Sequence, residues 1–198
     1  MKQLRIFIAI ALVALVLCAC QKDTANDPDS TTVTGITSLP EYIEVMREGE
    51  LSQIPIKHIS GTVGNYVIGM DDSYFTFIPE DTGTDLFWYE EWGEENPVYY
   101  TIRAYSGTYD PNRFFEEVKT AHAARYTSCA MEQTTVNGLP ATVVRLESCL
   151  AAADFNRHLF LIDCGEVRYV IETEFVTEMY EGLYTIILAS INTFIPVS

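Results

Sequence analysis

The chain has 198 residues, and its 28 acidic against 12 basic side chains give a formal net charge of −16 at pH 7. A surface of this sign repels phosphate backbones, which excludes nucleic-acid binding, and it disfavours direct docking on anionic lipid. Cations, basic peptides and neutral sugars remain as candidate partners.

The first nineteen residues have the layout of an export signal. Lys2 and Arg5 supply positive charge, and Ile6 to Leu17 is an unbroken apolar run. This run is too short to cross a hydrocarbon core, which needs about 20 apolar residues. The segment Leu17-Cys18-Ala19-Cys20 follows, with leucine three residues before Cys20 and small alanine just before it.

That tetrapeptide resembles the lipobox of bacterial lipoproteins. The resemblance implies cleavage before Cys20, lipidation of its thiol, and an extracytoplasmic location on a membrane. Lipoproteins of this kind carry at least two acyl chains, which hold a protein stably where one holds it marginally. Cys18 is the other candidate, but Leu17 would then stand where a small residue is needed. Without residues 1–19 the chain keeps ten basic against 28 acidic residues, a formal charge of −18.

Residues 20–36 are predicted to form the lipidated cysteine and a flexible tether. The stretch Gln21 to Ile36 is rich in Asp, Thr, Ser and Asn and shows no apolar periodicity. Such a tether has a mean span of about 20–24 Å. Residues 37–198 remain, enough for a single domain with its own hydrophobic core.

Period-two patterns predict strands through the first half of this domain. They fall into three successive pairs: Tyr42 to Met46 with Leu51 to Ile59, Tyr66 to Met70 with Ser73 to Ile78, and Leu86 to Trp92 with Val98 to Tyr105. The first pair indicates a hairpin around Arg47 to Glu50, and Asp71-Asp72 indicates a further turn. Ser38 to Glu41 is alternatively a cap for a short helix, although the hairpin is favoured.

The pattern then changes to a helical one. Asp110-Pro111 predicts a helix start, with an N-cap followed by proline at the first helical position. Apolar positions continue at helical spacing, and four strands follow: Arg125 to Val136, Ala141 to Leu150, His158 to Ile162, and Val167 to Thr173. Thr177 is predicted to cap a last helix, whose buried stripe is Met179, Leu183, Ile186, Ile187, Ser190, Ile191 and Phe194.

This order predicts an α+β fold in which two main helices pack on a mostly antiparallel sheet. In element order the last hundred residues resemble the fold of the photosystem II extrinsic PsbP proteins. Three stretches carry that resemblance: Gly138-Leu139-Pro140-Ala141, Leu159 to Ile162, and Ile191-Asn192-Thr193-Phe194. The whole domain is also similar to uncharacterised lipoproteins of Gram-positive gut bacteria. A shared fold transfers no function, and none of the functional residues of the PsbP group maps onto a nameable position here.

The three cysteines of the domain are Cys129, Cys149 and Cys164. Folding the first two strands of the meander about Asn137 to Pro140 pairs residues whose numbers sum to about 277–278, which places Cys129 opposite Cys149. Export permits a disulfide there, and two buried free thiols are the alternative. Cys164 lies in an acidic turn and is predicted to be an unpaired thiol.

The sequence contains no recognisable catalytic or metal constellation, so no catalytic residue, metal or cofactor is predicted. His58, His122 and His158 lack metal-ligand spacing and are predicted at the surface or its boundary. The tripeptide Asp81-Thr82-Gly83 matches that of aspartic proteases, but those enzymes need two such loops, so a turn is predicted. Asp81 and Asp85 could contribute calcium ligands, although no full EF-hand pattern is present.

The most unusual segment is Phe87 to Asn96, which holds both tryptophans of the chain and four glutamates. On a strand, Trp88, Glu90 and Trp92 share one face and Tyr89 points to the other. Exposed aromatic rings beside carboxylates suit a sugar ring or a cationic ligand. These four are the candidate binding residues, and the alternative is a tryptophan in the core with glutamates at its rim.

The favoured function is a membrane-anchored, non-catalytic binding or accessory module for a protein or a small ligand. One alternative is an accessory subunit of a transporter or envelope complex, which predicts a contiguous apolar patch. The other is a hydrolase with an unrecognised site, which predicts a histidine close to paired carboxylates in a pocket.

Overall fold

The computed structural model describes residues 39–47, 49–92, 98–107, 109–122, 124–148 and 154–197. The predicted signal peptide, Cys20 and the tether lie outside these residues, as does Cys149. Within them, twelve strands and two α-helices form the predicted α+β fold. None of the helices described is long and apolar enough to cross a membrane.

The first strands form two small sheets. β1 (Tyr42–Arg47) and β2 (Glu50–Pro55) make the predicted hairpin. β3 (Lys57–Ser60) and β12 (Ile195–Pro196) flank β4 (Tyr66–Met70) in a three-stranded sheet. The single strand predicted from Leu51 to Ile59 is therefore wrong, because the chain leaves the first sheet at Ile56 and enters the second.

The main sheet has seven strands in the order β5-β6-β7-β11-β10-β9-β8, and every neighbouring pair is antiparallel. Its strands are β5 (Phe75–Glu80), β6 (Thr84–Tyr89), β7 (Val98–Ser106), β8 (Ser128–Val136), β9 (Leu139–Glu147), β10 (Phe155–Cys164) and β11 (Val167–Val176). The mostly antiparallel sheet is thus confirmed. The turn at Asp71-Asp72 joins β4 to β5, which belong to different sheets.

The two helices cover opposite faces of the main sheet. α1 (Pro111–His122) begins as predicted, since the Asp110 carboxylate accepts a hydrogen bond from the amide of Asn112. Its Phe114 and Val118 pack on a small apolar cluster from β9, β10 and β11. α2 (Leu183–Ile191) covers the larger core on the other face, which also includes apolar residues of β1, β3 and β4.

The turn between β8 and β9 is tighter than the sequence predicts. It has two residues, Asn137 and Gly138, both with positive φ, and places Val136 opposite Leu139. Cys129 therefore faces Leu146, and the predicted register was wrong because Leu139-Pro140 belongs to β9. Cys129 makes no disulfide bond with a described cysteine, and its predicted partner Cys149 lies outside the described residues. The disulfide stays a prediction, but the strand register no longer supports it.

Candidate functional site

One row of facing residues crosses the main sheet on the α1 side. Strand register places each directly opposite the next, in the order Thr76, Trp88, Tyr99, Glu174, Arg157, Leu146 and Cys129. α1 packs over the apolar end of this row, at Leu146 and Cys129. The opposite end, from Thr76 to Tyr99, belongs to neither apolar cluster. A single line of residues therefore runs from an uncovered sheet face to a covered one.

The uncovered part is here named the open sheet face. It comprises the residues of β5, β6 and β7 that point to the α1 side: Thr76, Ile78, Glu80, Thr84, Leu86, Trp88, Tyr99, Thr101, Arg103 and Tyr105. Ile78 and Tyr105 are among the large hydrophobic residues exposed to solvent. Trp88 and Tyr99 are half-buried, and their rings lie nearly parallel with centroids 6.3 Å apart. Two adjoining aromatic rings thus lie on a part of the sheet that belongs to neither apolar cluster.

Where this face meets α1, four charged residues form a group named here the charge cluster: Arg125, Arg157, Glu172 and Glu174. Arg157 Nη1 lies 3.0 Å from Glu172 Oε1, and Arg157 Nη2 pairs with Glu174. Arg125 Nη2 lies 2.7 Å from the other oxygen of Glu174. The Tyr99 hydroxyl also donates to Glu174, at 3.0 Å. Two positive and two negative charges balance here, so the cluster is neutral within an acidic protein.

Burial and neighbouring charges hold the ionisation states of this cluster. Burial works against the positive charge of Arg157, but Glu172 and Glu174 outweigh it and raise the pKa of the guanidinium. Burial raises the pKa of the Tyr99 hydroxyl, and the Glu174 carboxylate raises it further. Tyr99 therefore stays protonated and able to donate its hydrogen bond.

His122 stands beside this cluster, next to Arg157. Its Nε2 lies 3.5 Å from Arg157 Nη1. Burial, and then the Arg157 charge, lower the pKa of His122. Both oxygens of Glu174 already accept hydrogen bonds from Arg125, Tyr99 and Arg157. Glu174 is therefore committed to internal pairing, whereas a general acid or base needs a proton that it can exchange with a substrate.

One buried polar atom beside the cluster, Thr101 Oγ1, has no hydrogen-bond partner within the described part of the chain. The Tyr126 hydroxyl interacts with Arg157. Thr101 lies directly opposite Glu172 in the register. Buried polar groups in folded proteins are nearly always paired, so this end of the open sheet face is suited to a polar ligand group.

The structure separates the four candidate binding residues. The strand ends at Tyr89, and Glu90–Trp92 is a 3₁₀ turn, so the strand predicted to run to Trp92 was wrong. Tyr89 is buried on the opposite face, where burial and Glu91 raise its pKa to about 12. Glu90 is exposed and accepts a 3.2 Å hydrogen bond from Thr76. The side chain of Trp92 lies outside the description, which leaves Trp88 and Glu90 at the open sheet face.

The other two histidines differ in their exposure to solvent. His58 is exposed, and its Nε2 is 2.8 Å from the Pro40 carbonyl oxygen. His158 is fully buried on the α2 side, so the predicted surface position is wrong for this residue. Its Nδ1 bonds the Tyr184 hydroxyl, and the rings of Phe175 and Tyr184 meet it edge-on. Successive residues of a strand point to opposite faces of the sheet. Because Arg157 in β10 points to the α1 side, His158 points to the α2 side.

We expect buried His158 to make the fold sensitive to acid. Burial, and then the charge of Arg145, lower its pKa to about 3, whereas an unfolded histidine titrates near 6.5. The carboxylate of Glu147 lies 3.4 Å from Nε2 but makes no hydrogen bond with it, so burial prevails. Between those two values the unfolded chain binds the extra proton. The free energy of unfolding should therefore fall as the pH drops through this window, by up to about 1.4 kcal/mol per pH unit.

Urea unfolding of two variants between about pH 7 and pH 4 measures this dependence. His158→Gln removes the titrating group and should flatten the slope. Tyr184→Phe is the matched control, because it removes the hydrogen-bond partner and leaves the imidazole buried, and it should keep the slope. Equal slopes in His158→Gln and the unsubstituted chain would show that other groups cause it.

The remaining motif residues have structural roles. Asp81-Thr82-Gly83 is the turn that joins β5 to β6, as predicted, and Gly83 has φ +77°. Asp85 is fully buried and accepts hydrogen bonds from Thr62, from the amide of Val63 and from the Tyr66 hydroxyl. The carboxylate oxygens of Asp85 therefore face hydrogen-bond donors. No cluster of three metal-binding side chains occurs among the residues that the structure describes.

Comparison with known proteins finds similarity to solved structures. No family model and no curated protein matches the chain. A crystal structure of a protein from Bacteroides thetaiotaomicron, solved at 1.50 Å resolution, is similar over 67% of this chain, at 9% sequence identity and a TM-score of 0.43. The match covers 45% of that protein, so this chain spans less than half of its length. A likeness this distant assigns no function.

Proposed function

We propose that the chain is a lipid-anchored, extracytoplasmic binding module that docks a basic polypeptide segment on the open sheet face. The observation that carries the proposal is the pair of nearly parallel, half-buried rings of Trp88 and Tyr99, which lie outside both apolar clusters. The proposal assigns no catalytic step, because the charged groups beside those rings are paired with one another.

The composition of the open sheet face supports a docking role. Protein interfaces are enriched in tryptophan, tyrosine and arginine, and their binding energy concentrates in a few such residues. The face carries Trp88, Tyr99 and Tyr105 together with Arg103, and it adds exposed Ile78. Solvated faces of antiparallel sheets are commonly polar, so this group of aromatic and apolar side chains favours a partner.

Charge favours a basic ligand over a neutral one. The predicted mature chain has a formal charge of −18. Exposed Glu80 and Glu90 and half-buried Glu172 lie on or beside the open sheet face. A cationic side chain can meet both these carboxylates and the ring faces of Trp88 and Tyr99, and the long-range field steers it there.

The proposed extracytoplasmic, lipid-anchored location depends on the first twenty residues. A charged start, a short apolar run and Cys20 at the end of a lipobox-like segment support export and lipidation. We expect Cys20→Ala to move the protein out of the membrane fraction, as measured by immunoblotting of separated fractions. Persistence in the membrane fraction would contradict the anchor. The PsbP-like element order adds nothing to the proposal, since a fold does not carry a function.

Calorimetric titration of the mature chain carrying Cys20→Ala tests the docking role. The probes are a hexa-arginine peptide, a neutral peptide of equal length and a neutral oligosaccharide. We expect only the basic peptide to bind, with an affinity that falls as salt is added. Trp88→Ala should weaken binding by at least about tenfold, or about 1.4 kcal/mol. Tyr42→Ala, which removes an exposed aromatic ring from β1, is the matched control and should change nothing.

Two results would decide against this function. Equal affinity of the basic peptide for Trp88→Ala and Tyr42→Ala would show that the open sheet face is not the docking site. Binding of the oligosaccharide in place of the peptide, with loss in Trp88→Ala, would keep the face and replace the ligand class with a sugar.

A second candidate function, an accessory subunit of an envelope complex, is favoured by the outer face of the first hairpin. Met46 and Leu51 lie directly opposite each other and are 56% and 63% exposed, and exposed Tyr42 lies on the same strand. Apolar side chains exposed together mark interaction sites. If this face binds a membrane complex, Met46→Ser with Leu51→Ser should abolish co-purification from detergent, whereas Val197→Ser, another exposed apolar residue, should retain it.

A further inference from the structure

Arg125 sits in a place built to hold a guanidinium group. Its Nη2 donates to Glu174 Oε1 at 2.7 Å, and the Glu174 side chain is only 3% exposed. The guanidinium carbon lies 5.6 Å from the centroid of the Tyr126 ring and 5.4 Å from that of Phe155. A buried carboxylate with two aromatic rings near the bound group suits the planar, weakly hydrated guanidinium better than an ammonium.

Arg125 and Arg157 hold the same carboxylate in different ways. Arg157 is nearly buried and pairs with both Glu172 and Glu174, so it is part of the fold. Arg125 follows the end of α1, its side chain is 48% exposed, and Glu174 is the one ion-pair partner of Arg125 among the described residues. Ion pairs with an exposed partner are weak, so this contact can be exchanged at small cost.

The place occupied by Arg125 is continuous with the open sheet face. Glu174 lies next to Tyr99 in the row of facing residues, and Tyr99 lies next to Trp88. The Tyr99 hydroxyl donates to the Glu174 oxygen that Arg125 does not use. A segment docked along Trp88 and Tyr99 would therefore bring its next side chain to Glu174.

We infer that Glu174, Tyr126 and Phe155 form a binding site for an arginine side chain of the basic partner, and that Arg125 occupies this site in the free chain. The inference rests on the proposed docking function and specifies arginine over lysine. Arg125 then acts as a built-in competitor, which the partner displaces on binding. An internal occupant lowers the apparent affinity of the site by the fraction of time that it fills it.

The experiment compares Arg125→Ala with Arg113→Ala in the mature chain carrying Cys20→Ala. Arg113 is a matched control because it is exposed, pairs with Glu117 on α1, and removes the same charge when replaced. Calorimetry with hexa-arginine and hexa-lysine peptides should show about tenfold tighter arginine-peptide binding to Arg125→Ala than to Arg113→Ala. The lysine peptide should bind both variants alike. Arg125→Lys, which keeps the charge without the planar group, should resemble Arg125→Ala.

A second measurement separates this inference from the docking function. N-methylguanidinium should raise the melting temperature of Arg125→Ala and leave that of the unsubstituted chain unchanged, because the site is free only in the variant. Equal arginine-peptide affinity of Arg125→Ala and Arg113→Ala would overturn the inference while docking stands. Stabilisation by N-methylguanidinium without peptide binding to any variant would support the guanidinium site and overturn docking on the open sheet face.

Discussion

Replacement of Arg157 with methionine is expected to lower the free energy of unfolding by about 3–5 kcal/mol, because it leaves the buried carboxylate of Glu174 without its main counter-charge. Arg157 pairs with Glu172 and Glu174 at once, and the Glu174 side chain is 3% exposed. Arg125 and Tyr99 would remain as partners of Glu174, but Arg125 stands at the solvent boundary. A desolvated charge that loses its closest partner costs far more than the pair contributes when intact.

Urea unfolding at neutral pH measures this effect as a shift of the midpoint. Arg145→Met is the matched control, because Arg145 lies on the neighbouring strand β9 and pairs with the exposed Glu132. It should cost less than about 1 kcal/mol. Adding Glu174→Gln to Arg157→Met removes the orphaned charge and should restore at least about 2 kcal/mol. If the two single arginine variants unfold at the same urea concentration, the charge cluster does not support the fold.

Asp85→Asn is the second substitution with a large expected effect, a loss of about 3 kcal/mol. Asp85 accepts four hydrogen bonds, two from backbone amides at Thr62 and Val63 and two from the hydroxyls of Thr62 and Tyr66. All four partners donate, and burial followed by Asp85 itself raises the pKa of Tyr66, which keeps that hydroxyl protonated. An asparagine would turn its amide hydrogens toward donors at a fully buried position.

The measurement is again the urea midpoint, with Asp81→Asn as the control. Asp81 is exposed in the turn between β5 and β6, and its substitution should stay within about 0.5 kcal/mol. Tyr66→Phe removes one of the four hydrogen bonds and should cost about 1 kcal/mol. A loss in Asp85→Asn no larger than that in Asp81→Asn would show that the loop after β3 does not depend on this carboxylate.

Local patterns predict the elements of this fold better than they predict the partners of those elements. Asp110-Pro111 marks the start of α1 through backbone chemistry that neighbouring residues alone determine. Ile56 carries no such signal, because a strand that changes sheets has the same alternation as one that continues. Leu139-Pro140 reads as a turn, yet the two-residue turn at Asn137-Gly138 sets the register and leaves Pro140 within β9.

The sequence predicts only part of the candidate site, again because local patterns do not show which strands pair. Trp88 and Glu90 stand out by composition, but the strand prediction could not see the 3₁₀ turn that begins at Glu90. Arg157 and Glu174 were missed. The sequence does contain a signal for them, because a charged residue within a run of apolar strand residues needs a partner when it is buried. Glu172 and Glu174 are such residues and share one face of β11. Only the pairing of distant strands shows that these charges meet.

The strand order also bears on how the chain folds. β5 to β7 are contiguous in the chain, as are β8 to β11, and the pairing of β7 with β11 joins the two meanders. Each meander closes short loops, while their union closes one of about sixty residues, at a larger entropic cost. Tyr99 and Glu174 meet across that junction. The proposed docking site should therefore form late in folding. A ligand bound there should bridge the two meanders and slow their separation during unfolding.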